Sequence, residues 1–156
     1  MTVKSSRDAT TSTFSGVSGE SFVAELNSPH FFGRVVVSTY LSGPPSLLFD
    51  EMAREWKGWD RKKTWAALDE ELCIEATSDH TGHTALLVTM RDSSDPADWN
   101  LRATLELEAG QLEQVAKSVR YLFKNIQGSG GIPNAGGMMR APERRKTSPE
   151  NGKTLQ

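Results

Sequence analysis

The sequence predicts an α+β protein: a mainly antiparallel five-stranded sheet with two helices, the C-terminal helix packed on one face. Three observations point there. Runs between Glu71 and Leu107 alternate apolar and polar residues at the period of two that a half-buried strand requires. Two other segments repeat apolar residues at helical spacing. The 156-residue length suits one hydrophobic core.

Residues 1–18 are rich in Ser and Thr and show no hydrophobic period, which predicts a disordered tail. The folded domain then spans 19–128. Its first strand is Ser21 to Leu26, short enough for a sheet edge, with Phe22, Ala24 and Leu26 on one face. Phe32 to Leu41 reads as a longer strand, and its β-branched Val35, Val36, Val37 and Thr39 suit a largely buried position. Ser42-Gly43-Pro44-Pro45 breaks it and opens a helix, with Pro45 in the first turn and Ser46 as a cap. Leu48, Phe49, Met52, Ala53 and Trp56 form that helix's apolar stripe, which places Trp56 in the core; Gly58 marks its end.

After the basic linker Asp60-Arg61-Lys62-Lys63 come three antiparallel strands. Leu72, Ile74 and Ala76 face inward on the first, and Ser78 to Gly82 supply a hairpin loop. The second, with Leu86, Val88 and Met90, is apolar on both faces and therefore central. A polar loop from Asp92 to Asp98 leads to the third, where Trp99, Leu101, Ala103, Leu105 and Leu107 alternate with polar residues. The last helix runs from about Gly110, with Leu112, Val115, Ala116, Val119, Leu122, Phe123 and Ile126 on one face and Gly128 as its stop. Residues 129–156, rich in Gly, Pro and charge, read as a second disordered tail.

Charge narrows the function classes. The net is −2. Between Glu20 and Ile126 there are 17 Asp or Glu against 11 Lys or Arg, while the last 30 residues hold five bases against two acids. An acidic body argues against nucleic acid as the main partner, because that binding depends on neutralising phosphates. The basic tail, with Arg140, Arg144, Arg145 and Lys146, reads as a solvated segment. No apolar run has the length of a membrane span or of a signal peptide, and the single cysteine, Cys73, has no disulfide partner; both predict a cytoplasmic protein.

No catalytic or cofactor motif emerges. Asp79, His80 and His83 are the nearest approach to a metal site, but zinc generally takes four ligands and no second cysteine is present. A Cys73–His83 dyad would need two strands to bring its members together. Asp69, Glu70 and Glu71 read as a solvated acidic edge that, with Glu75, presents a negative face to a basic partner. Trp59 and Trp65 flank Arg61, Lys62 and Lys63 in a polar segment, an arrangement that serves either core packing under the linker or a recognition edge. The binding set is therefore Trp59, Arg61, Trp65, Asp69, Glu70, Glu71 and Glu75.

An ordered series of short motifs between Phe49 and Phe123 resembles a bacterial family known as domain of unknown function 6228. The motifs are Glu55-Trp56-Lys57-Gly58-Trp59, Trp65-Ala66-Ala67-Leu68-Asp69-Glu70-Glu71-Leu72, Asp79-His80-Thr81-Gly82-His83, Trp99, and Glu108-Ala109-Gly110-Gln111-Leu112-Glu113. The resemblance implies no activity, but it directs attention to Trp59, Trp65, Gly82, His83 and Gly110. In size, charge and architecture the chain also looks like the immunity proteins of bacterial toxin systems, an analogy of architecture alone. The expectation is a non-enzymatic, immunity-like protein-binding module; the alternative is a small-molecule or metal-binding module, or an enzyme, using His80 and His83. The sequence leaves the oligomeric state open.

Overall fold

A computed structural model describes residues 1–92, 94 and 99–125. The elements follow the order β1 (Thr2–Lys4), β2 (Thr11–Ser18), β3 (Ser21–Ser28), β4 (Phe31–Ser38), α1 (Ser46–Arg54), β5 (Lys63–Ala66), β6 (Leu72–Ser78), β7 (Thr84–Arg91), β8 (Asn100–Leu107) and α2 (Ala109–Phe123). They form two four-stranded antiparallel sheets with strand orders β1-β2-β3-β4 and β5-β6-β7-β8. Each sheet is a meander followed by a helix.

The α+β class, the antiparallel pairing and the two helices agree with the sequence. The single five-stranded sheet does not. The five expected strands are β3, β4, β6, β7 and β8; three more, β1, β2 and β5, complete two sheets. Residues 2–18, expected as a tail, hold β1 and β2. Val3, Ser12 and Phe14 on these strands and Ser5 and Thr10 in the loop between them are all buried, so small hydroxyl side chains erase the apolar period while still filling the core. β3 is consequently flanked by β2 and β4 rather than lying at an edge. β5 escaped notice because it is four residues long and begins in the basic linker.

One core joins both sheets and both helices. Phe22 of β3 meets Phe123 of α2 edge-on at 4.9 Å between ring centroids, and Phe14 of β2 lies 6.3 Å from Phe49 of α1. The inward residues Leu72, Ile74, Ala76, Leu86, Val88, Met90, Leu105 and Leu107 supply the second sheet's share. At Gly33 of β4 the sheets approach so closely that a Cβ would overlap the Leu101 side chain of β8. α1 starts after Pro45, so Ser46 is its first helical residue and not its cap, and it ends at Arg54, leaving Trp56 beyond the stripe and half exposed. No helix among the described residues is long and apolar enough to cross a membrane. The expected helix end at Ile126 and Gly128, and the tail 129–156, lie outside the described residues.

Candidate functional site

The acidic edge is not a uniform surface. Glu71 is buried, 4% exposed, and its Oε1 accepts the Ser38 backbone N–H at 2.7 Å, bracing β4 against the β5–β6 turn; its Oε2 has no hydrogen-bond partner among the described residues. This corrects the expectation of a solvated Glu71: the end of β4 closes over it. Glu70 occupies a left-handed turn position (φ 55°) and pairs with Arg91, whose Nε also donates to the Glu70 carbonyl. Asp69 stays exposed, and Glu75 pairs with Lys62 at 2.7 Å. Trp59 is buried at 8% exposure, with Lys63 Nζ 5.6 Å from its ring centroid. Trp65 packs partly buried against Phe22, and Arg61 is exposed. Of the expected binding set, Arg61, Asp69 and Glu70 are therefore the members most open to solvent.

The hairpin loop between β6 and β7 gathers Asp79 and His83. Asp79 Oδ1 accepts the Thr81 hydroxyl at 2.7 Å and the backbone N–H groups of Thr81 and His83 at 2.9 and 3.0 Å. The Thr81 hydroxyl's hydrogen bond comes first among the causes that hold the carboxyl down at about 2. His83 spans two carboxylates, with Nδ1 3.3 Å from Asp79 and Nε2 3.1 Å from Glu108, the residue preceding α2. His80 points elsewhere, 3.8 Å from exposed Asp60. Among the described residues no group of three His, Cys, Asp or Glu side chains is placed to hold a metal ion. Cys73 lies at the far end of β6, five residues from Ser78 and so roughly 16 Å from the loop, which separates it from His83. Burial, ahead of the neighbouring Glu70 charge, pushes its thiol up.

The loop docks between the helices' ends. Gly58 (φ 110°) leaves no room for a Cβ against the Asp79 carbonyl, and at Gly82 (φ 87°) a Cβ would stand 2.9 Å from both the Trp56 carbonyl and the Ala109 side chain. Three motif segments that are distant in sequence, 55–59, 79–83 and 108–113, thus meet at one junction. Beside it runs an open groove of about 770 Å³ between α1 and α2, walled by Trp56, Ala109 and Gly110 and crossed by the Asp50–Arg120 pair at 2.6 Å.

The sheet edges differ sharply in how they are protected. β1 and β5 are three and four residues long. β8 is stapled near its end: the Ser6 N–H donates to the Glu106 carbonyl at 2.8 Å, the Glu106 N–H donates to the Ser5 hydroxyl at 3.2 Å, and Arg7 pairs with the Glu106 side chain. β4 is eight residues long and pairs with β3 without a bulge. The Thr39 N–H turns toward Glu20 on the β3 side while that of Ser38 turns away to Glu71. By alternation the N–H and C=O groups of Phe32, Arg34 and Val36 face the open edge. Phe32 is 61% and Val36 69% exposed. Alongside lies a pocket of about 340 Å³ lined by Phe32, Gly33, Arg34, Trp99 and Leu101.

The sequence reading missed this edge. Residues apolar on both faces of a strand suggest burial on both faces, and only the strand order reveals that no described strand pairs with the outer edge of β4. Trp99, expected on the inward face, is only partly buried and lines the pocket.

Comparison with curated proteins and with solved structures gives no match. A family model described as a family of unknown function, DUF6228, matches residues 6–126, from the loop after β1 to just past α2. The chain therefore belongs to the DUF6228 family.

Proposed function

We propose that the protein is a non-enzymatic binding module that recognises another polypeptide by adding one of its strands to the edge of β4. The observation that carries this reading is the contrast among the edges of the described residues: two are short, one is stapled, and β4 is long, regular and unstapled along its middle, with Phe32 and Val36 exposed on either side of Arg34. An edge left in that state templates pairing with another chain, and proteins otherwise blunt it with charge, proline or a bulge. Strand addition uses the open N–H and C=O groups for affinity and adjoining pockets for specificity. The reading keeps the cytoplasmic setting expected from the sequence, in which Cys73 is a free thiol.

The alternative built on His80 and His83 gains no support from the geometry, because His83 is engaged between two carboxylates and His80 stands apart from it. The exposed Arg61, Asp69 and Glu70 belong to the second sheet and its approaches; under this reading they tune long-range attraction and do not form the contact.

The test is quantitative capture of partners from the native host by the full chain and by Arg34→Pro and Val36→Lys. Proline at position 34 removes an outward N–H and leaves the β3–β4 ladder intact. Both variants should keep the wild-type circular dichroism spectrum and lose about tenfold or more of whatever the wild type retains stoichiometrically. Equal retention by folded variants overturns the reading.

A further inference from the structure

We infer that the strand taken up by β4 runs antiparallel and carries, in order from its N-terminal side, an acidic residue, a large apolar residue and a second apolar residue. This rests on the strand-addition reading and adds the chemistry of the partner.

The register follows from β4 itself. Because Phe32 and Arg34 direct their backbone groups outward, an added antiparallel strand forms its hydrogen-bonded pairs there, and the residue between them lies opposite Gly33 in a non-hydrogen-bonded pair. Side chains of directly opposed residues project to the same side of a sheet. The middle residue therefore projects on the side where Gly33 has no side chain, toward Leu101 and Trp99, which border the 340 Å³ pocket. That space accepts a leucine-sized or larger apolar group, which would lie against the Leu101 and Trp99 side chains.

The two flanking residues project on the outer face. One stands opposite Arg34, whose side chain is 60% exposed and, among the described residues, ion-pairs with Glu25 alone, at 3.7 Å. An acidic side chain there completes a cross-strand ion pair, whereas a basic one meets like charge. The other stands opposite exposed Phe32 and favours an apolar contact. Since β4 runs from Phe32 to Arg34, an antiparallel partner passes Arg34 first, which sets the order acidic, large apolar, apolar. A second copy of this chain fits less well. Its own β4 has its inward Val35 and Val37 buried in its own core, so it cannot fill the pocket of its neighbour.

The experiment uses the full chain and three synthetic ten-residue peptides of alternating threonine and lysine with a central Glu-Leu-Val, Glu-Ser-Val or Lys-Leu-Val. Affinity is read by fluorescence anisotropy and β4 amide exchange by mass spectrometry. The Glu-Leu-Val peptide should bind at least about tenfold more tightly than the Glu-Ser-Val peptide, because a buried leucine side chain is lost. It should also bind more tightly than the Lys-Leu-Val peptide and slow exchange over 32–36, and Arg34→Pro should abolish its binding. Equal affinity of all three peptides, binding without protection of β4, or no binding at about 1 mM each overturns the inference. If the inference fails while Arg34→Pro still removes the native partner, strand addition stands with a different strand chemistry. If Arg34→Pro changes neither measurement, both fall.

Discussion

Asp79 concentrates hydrogen-bond donors on one exposed carboxylate, and its titration follows from that. Its folded value, about 2, lies below the ordinary 3.8, with the Thr81 hydroxyl as the first cause. A depressed carboxylate contributes stability that is present above the unfolded value and lost as pH falls through the folded one. The β6–β7 loop should therefore loosen between about pH 4 and pH 2, and carboxyl NMR should report an Asp79 midpoint near the lower figure. Thr81→Ala should move that midpoint back toward the ordinary range; an unmoved midpoint would show that the hydroxyl is not the cause. At this scale legibility depended on sequence distance. Asp79 and His83 are four residues apart, and the sequence placed them together; Glu71 owes its burial to Ser38, 33 residues away, and nothing in Asp69-Glu70-Glu71 marks the third carboxylate as different.

Elements with clean alternation or a clean apolar stripe were found: β6, β7, β8 and α2 stand within a few residues of their expected bounds. Trp56 was misplaced because α1 stops a turn earlier than its stripe suggests, where the chain must bend to let Gly58 pass the Asp79 carbonyl. That close passage carries a prediction. Gly58→Ala combines a disfavoured φ of 110° with a collision against backbone, so it should destabilise the fold by about 2–4 kcal/mol in urea denaturation. Alanine at Gly110, where a Cβ would have nothing within 4 Å, should leave stability unchanged or slightly raised. A Gly58→Ala protein as stable as the wild type would mean that the loop has another seat.

For the whole molecule, the plan is a four-stranded meander and a helix, twice over, with the helices adjoining. The sequence showed no repeat, since one half fills its inward positions partly with Ser and Thr and the other almost wholly with aliphatic residues. The N-terminal segment, which composition assigned to disorder, is part of the frame: the Met1 amino group donates to the Phe14 carbonyl at 2.9 Å, Val3 is buried, and Ser5 and Ser6 staple β8. Removing residues 1–10 should lower the melting temperature by more than about 10 °C, or prevent folding, as followed by circular dichroism. A truncated protein that melts with the full chain would return those residues to a dispensable tail.

The staple between Ser6 and Glu106 spans 100 residues, so its timing during synthesis is constrained. The first meander can pair its strands while the ribosome is still making the second, but the β1–β2 loop has no partner until β8 has emerged. Until then the inner face of the first sheet lacks the cover that the second sheet and α2 give it. The nascent chain therefore passes through a stage in which the edge proposed to meet a partner strand is available before the fold around it is closed.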